Sequence, residues 1–154
     1  MVVLDIEVAF RSDDENKKQD RIDIVLFNKN TRTIQFVEAK HYSNKEIWST
    51  ARPRVLFQVK RYETQIANQK ADIISEYGNL VSTINTVFGV DLPMPIEIED
   101  KVSLLIFGFD ENQKKGRLQT GILKNPVYKG TKIYPKGDIP KVNPETLYNA
   151  KILK

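Results

Sequence analysis

Apolar and polar positions alternate from the start of the chain. Leu4, Ile6, Val8 and Phe10 fall on one side of an extended segment over residues 2–10, and Asp5, Glu7 and Ala9 on the other. Residues 11–18 are charged and turn-like. A second apolar run, rich in β-branched residues, covers residues 20–27. Asn28-Lys29-Asn30-Thr31 then has the composition of a hairpin turn. A third strand follows over residues 33–42, with Ile34, Phe36, Glu38, Lys40 and Tyr42 on one face and Gln35, Val37, Ala39 and His41 on the other.

The period then changes. Thr50 is placed to cap a helix and Pro53 suits its first turn. Val55, Val59, Tyr62 and Ile66 make one apolar stripe at helical spacing. This helix is expected to reach about Tyr77, with Gly78 ending it, and a further helical pattern runs through Leu80, Val81, Ile84, Val87 and Phe88 to Gly89. The prolines of residues 91–95 break the pattern. Residues 102–109 predict a central strand buried on both faces, residues 110–116 a polar turn and residues 117–124 a short helix. Residues 132–134 predict a short edge strand, and Asn143-Pro144-Glu145 opens a last short helix with Leu147 and Tyr148. The order β-β-β-α-α-β-α-β-α implies an α/β fold, a mixed sheet flanked by helices, in one domain spanning residues 1–154.

Composition narrows the chemistry. The chain has no cysteine, which excludes disulfides, thiolate catalysis and Cys-ligated zinc. It has no apolar run of membrane-spanning length and no signal-peptide pattern, so the expected location is the cytoplasm, away from membranes. A formal net charge of +4 permits a polyanionic partner.

The third strand carries the candidate chemistry. Its first face begins apolar and then presents Glu38 and Lys40, charges that are costly among apolar neighbours unless they are paired or bind a metal. An acid two residues before a lysine also occurs in Glu15-Asn16-Lys17 and Glu99-Asp100-Lys101, but in polar surroundings. A hairpin would bring Asp23 of the second strand toward Glu38 and Lys40. On the following helix, Gln58 and Tyr62 lie one turn apart, and Gln58 borders the buried stripe, where the strand carboxylates and lysine are its expected partners. Arg52, Arg54, Lys60 and Arg61 form a basic group that could hold phosphates. The competing structural explanation is an ion-pair network at the strand end.

Together, Asp23, Glu38-Ala39-Lys40 and Gln58-Val59-Lys60-Arg61-Tyr62 resemble the PD-(D/E)XK nuclease superfamily, the last piece being similar to the Gln-x-x-x-Tyr motif of its RecB-like branch. The resemblance spans roughly residues 4–110 and implies a restriction-endonuclease-like fold. It implies that Asp23 and Glu38 bind Mg²⁺, with Mn²⁺ able to substitute and the carbonyl of Ala39 as a further ligand. Lys40 would be the catalytic lysine, with Gln58 and Tyr62 lining the site. The implied activity is metal-dependent hydrolysis of phosphodiester bonds in DNA, with RNA left open; the alternative is a non-catalytic nucleic-acid-binding subunit of a larger assembly. A metal-free protein-interaction domain is the third reading. Two departures stand out: Ile22 occupies the position of the family's proline, and the chain opens almost directly in a strand where these folds place a helix. The missing helix is expected to be dispensable, to be supplied by a partner subunit or a second copy, or to have been lost with a longer parent chain.

Overall fold

The computed structural model describes residues 1–10, 21–48 and 51–154. The charged loop over residues 11–18 and the Thr50 cap lie outside the described residues. Strands β1 (Val2–Ala9), β2 (Arg21–Asn28) and β3 (Thr33–His41) form an antiparallel meander. Its hairpin is closed by Asn28, whose Oδ1 accepts the N–H groups of Asn30 at 3.0 Å and Thr31 at 3.3 Å. Two helices follow, α1 (Arg54–Asn68) and α2 (Lys70–Phe88). Strands β4 (Glu97–Ile98) and β5 (Ser103–Phe107) run parallel to β3 along its two halves. A helical segment then crosses to β6 (Lys132–Lys136), which is parallel to β5, and β7 (Lys151–Ile152) pairs antiparallel to β6 after the short helix Pro144–Tyr148. Among the described residues the sheet has seven strands in the order β1-β2-β3-β5-β6-β7, with β4 beside β3. This is an α/β architecture with a mixed sheet flanked by helices.

The core divides according to the alternation along β3. Ile34, Phe36 and Tyr42 pack with Val55, Val59, Tyr62 and Ile66 of α1 and with Ile73 and Tyr77 of α2. Val37 and the partly buried Ala39 face the other way, with Leu26, Leu105, Leu147 and Tyr148. β3 therefore buries alternate residues in different apolar layers and is enclosed on both faces.

Several elements differ from the expectation. The expected break at Gly78 does not occur; the chain instead breaks at Gln69 (φ −113°, ψ 17°), and Gly78 lies inside α2. Gly89, at φ 62°, ends α2 in the left-handed conformation that glycine adopts without a Cβ penalty. The expected polar turn at residues 110–116 is helical. Asp110 and Gln113 form a reciprocal capping box on the turn Glu111–Gln113; the helical path then kinks at Gly116 (φ −92°, ψ −108°), and a second helical stretch follows as far as Leu123. The expected edge strand β6 is covered over Lys132 and Ile133 by β7, a strand too short to announce itself in the sequence.

Strand β1 departs from simple alternation twice. The register to β2 shifts between Val3 and Asp5, and Glu7 takes φ 53°. Between these irregularities Ile6 is 66% exposed, while Asp5 turns inward to meet Tyr77 Oη at 3.5 Å. Val8 and Phe10 return to the helix-covered layer.

Candidate functional site

The β2–β3 ladder runs from Asn28 opposite Thr33 to Ile24 opposite Val37. One step beyond, a side chain takes over from the backbone: Asp23 Oδ2 accepts the Ala39 N–H at 2.7 Å. This places the Asp23 carboxylate against the backbone between Glu38 and Lys40, as the hairpin geometry predicts. Both of those residues lie on the helix-covered side of β3, continuing the series from Ile34 and Phe36.

Glu38 is only 2% exposed. Its Oε1 lies 2.9 Å from Lys40 Nζ, whereas its Oε2 is buried with no hydrogen-bond partner among the described residues. Burial pushes the Glu38 carboxyl up to about 7; the Lys40 hydrogen bond works against that shift, and the charges of Asp23 and Glu46 add to it. For Lys40, burial alone would lower the pKa. Hydrogen bonds to Glu38 and Glu46 outweigh burial and hold it above its ordinary value. The lysine thus stays an ammonium, and the glutamate is the member of the pair whose charge is strained.

Glu46 was not singled out in the sequence. Its Oε2 lies 2.9 Å from Lys40 Nζ, opposite the contact with Glu38. It sits on a 3₁₀ turn, Lys45–Ile47, capped by Asn44 Oδ1 on the Glu46 N–H and anchored by the fully buried Ile47. The available signal was Asn44, a cap-forming residue, just ahead of the apolar pair Ile47-Trp48. Two carboxylates, from Glu38 and Glu46, therefore flank the Lys40 ammonium, and the nearby Asp23 carboxylate adds its charge at Glu38. That excess of negative charge suits a further cation.

Gln58 and Tyr62 act on the scaffold. Gln58 Nε2 donates to Tyr62 Oη at 2.5 Å, and Tyr62 Oη donates to the carbonyl of Arg21. The amide donor of Gln58 thus goes to Tyr62 and not, as expected, to a strand carboxylate. This chain fastens α1 to the start of β2, two residues before Asp23.

The basic group divides. Arg52, Arg54, Lys60 and Arg61 are all exposed. Arg54 and Arg61 stand four residues before and three after Gln58, on the same flank of α1. Lys60 instead lies 3.9 Å from Glu63, which also bonds Lys101 at 3.4 Å, just ahead of β5. Lys101 is near the end of β5 opposite Ile106, the residue that pairs with Lys40, so Lys60 belongs to the far end of the sheet. His41 is exposed on the opposite side of β3, edge-on to the Phe107 ring and 2.8 Å from Ser43 Oγ.

The donors fit a hard divalent cation. A buried carboxylate oxygen without a partner is costly as it stands, and Mg²⁺ typically takes one or two protein carboxylates and keeps several waters. Among the described residues no group of three or more His, Cys, Asp or Glu side chains is placed to hold a metal ion. Among the described residues no helix is long and apolar enough to cross a membrane. Compared with known proteins, the chain matches no family model, no curated protein and no solved structure.

Proposed function

We propose that this protein is a Mg²⁺-dependent phosphodiesterase of the restriction-endonuclease-like type, acting on DNA. The observation that carries the reading is the buried, unpartnered Oε2 of Glu38, beside the Asp23 carboxylate and backed by Lys40 on Oε1. Asp23 and Glu38 would hold the cation, with the Ala39 carbonyl as a further ligand. The bound cation supplies charge neutralisation on the phosphate and a more acidic water.

The residues of the chain have separable tasks. Hydrolysis forms a bond from water oxygen to phosphorus and breaks the bond to the leaving alkoxide; the water gives its proton to solvent and the alkoxide takes one from solvent, leaving a phosphate monoester and an alcohol. Lys40, held as an ammonium, is no general base; it donates to the attacking water or to a phosphate oxygen on which charge develops. Glu46 and Glu38 fix the position of its Nζ from two sides. Asp23, bonded to the Ala39 N–H, keeps its carboxylate aligned with Glu38, and the Gln58–Tyr62–Arg21 chain holds the strand that carries it.

A purely structural ion-pair network is favoured by one observation, the two 2.9 Å contacts of Lys40. It leaves Glu38 Oε2 a costly buried oxygen, a cost that a bound cation would relieve. The deciding experiment incubates linear, circular and single-stranded DNA, and RNA, with the protein in Mg²⁺, in Mn²⁺ and in EDTA, alongside Asp23→Asn. Metal-dependent cleavage that Asp23→Asn abolishes is expected. A preparation that binds Mn²⁺ through Asp23 and Glu38 but cleaves nothing would instead support a non-catalytic nucleic-acid-binding subunit.

A further inference from the structure

The turn carrying Glu46 is clamped to a second, basic segment of the chain. Tyr128 Oη donates to the carbonyl of Ile47 at 2.7 Å, a buried hydrogen bond next to Glu46. Trp48 Nε1 donates to the Tyr42 carbonyl at 2.6 Å, fixing the indole at the end of β3. Over that indole lies Arg117, its guanidinium carbon 4.0 Å from the ring centroid. Four residues on, Gly121 meets the same ring; a Cβ there would come within 3.3 Å of it. The helical stretch after the Gly116 kink therefore packs on Trp48 along the face shared by Arg117 and Gly121.

This helix is one-sided in charge. Residues 114–124 include Lys114, Lys115, Arg117 and Lys124 and no acidic residue. Lys114 is engaged with Glu111 at 3.4 Å. Lys115, Arg117 and Lys124 are exposed. Most exposed basic side chains are flexible and lose considerable entropy on binding a phosphate. Arg117 differs because its plane is already stacked on an aromatic ring, and a stacked guanidinium keeps its N–H edge for bidentate bonds. The ring beneath it is two residues from Glu46, whose carboxylate touches Lys40.

We propose that Arg117, preorganised on Trp48, forms with Lys115 and Lys124 the surface that receives the backbone phosphates of the nucleic acid flanking the scissile bond. The assignment of these phosphates to a nucleic acid rests on the phosphodiesterase reading of the neighbouring site. This rim stands on the 114–124 helix and is separate from the basic residues of α1.

Trp48 is the only tryptophan, so the protein carries its own reporter at this surface. The test titrates the full chain, in EDTA to prevent cleavage, with an unlabelled DNA duplex, following Trp48 fluorescence. Anisotropy of a labelled duplex serves as the second readout, because substituting Arg117 alters Trp48 fluorescence by itself. Saturable quenching that weakens with salt is expected, at about 0.9 log unit per phosphate neutralised. Arg117→Ala and Lys124→Ala should each lower affinity and reduce that slope by about one contact. Lys29→Ala, in the distant hairpin turn, should change neither. Arg117→Lys keeps the charge but not the fork and should fall between wild type and Arg117→Ala; it also decides the matter if the alanine variant fails to fold. Unchanged affinity and slope in Arg117→Lys and Lys124→Ala would overturn the proposal, even if the enzyme cleaves DNA. Reduced affinity in both, with no cleavage by the wild type, would keep this surface and remove the hydrolytic reading.

Discussion

Asp23 and Ala39 are joined by a 2.7 Å hydrogen bond from the Ala39 amide to the aspartate Oδ2, at the point where β2 and β3 stop pairing through their backbones. The aspartate thus has a structural and a chemical duty, and two substitutions separate them. Asp23→Asn keeps an acceptor for the amide and should retain stability while weakening Mn²⁺ binding. Asp23→Ala removes the acceptor and should cost about 1–3 kcal/mol as well. Melting and Mn²⁺ titration on both variants check this, and equal melting losses would show that the hydrogen bond carries no weight.

Lys40→Ala separates the electrostatic role of the lysine from its ion pairs. Cleavage should fall by about two orders of magnitude or more, the scale of losing one preorganised contact, while Mn²⁺ affinity holds or rises because a neighbouring positive charge is gone. The variant also leaves Glu38 and Glu46 without their shared cation, so its melting temperature should drop in EDTA and recover on adding Mn²⁺. Normal cleavage in a folded Lys40→Ala protein would end the catalytic assignment.

The strained charge of Glu38 makes stability depend on pH. Its folded pKa of about 7 exceeds the ordinary 4.5, so between these values the folded state binds more protons than the unfolded one. The Glu38 contribution therefore favours folding at acid pH and is lost as pH rises from about 4.5 to 7. Glu38→Gln stays neutral throughout. Without metal, its melting temperature relative to wild type should improve from pH 5 to pH 8, and Mn²⁺ affinity of the wild type should increase over the same range. Parallel melting curves for the two proteins across that range would contradict the burial of an unpartnered Glu38 oxygen.

Gln58 and Tyr62 should respond in opposite order to the usual expectation for a polar residue and an aromatic one. Tyr62→Phe keeps the ring but strips the Arg21 carbonyl of its donor and Gln58 of its acceptor. A loss of about 1–3 kcal/mol follows, together with reduced cleavage as β2 loosens ahead of Asp23. Gln58→Ala removes only the outer link and should melt within about 1 kcal/mol of wild type. Thermal melts and cleavage rates measured on the same preparations distinguish the two.

The meander, the faces of β3 and the apolar stripe of α1 were legible because period-2 and helical spacing are set by local geometry and reinforced by burial. The same spacing located Asp23, Glu38 and Lys40, since charge amid an apolar strand is conspicuous. Glu46 escaped because it neighbours Lys45 in a polar stretch, and only the return of Ile47 to the core brings it to Lys40. Gly78 misled because a glycine interrupts a helix only when nothing else holds it; here Ile73, Tyr77 and Val81 bury the same face on both sides of it. Lys60 looked equivalent to Arg61 in sequence, yet one helical step turns it toward Glu63 and the other end of the sheet. The helical stretch after Gly116 was legible, whereas the turn before it was not, because Lys114, Lys115 and Gly116 have the composition of a loop while the Asp110 capping box stabilises a helical turn at Glu111–Gln113.

The irregular outer strand bears on a different property, the chain's behaviour when many copies meet. A straight β1 with Val3 and Ile6 displayed would offer another molecule a continuous row of unpaired amides and carbonyls, the start of a filament. The bulge at Leu4 and the left-handed Glu7 interrupt that row on either side of Ile6, which disfavours sheet-to-sheet pairing along this strand.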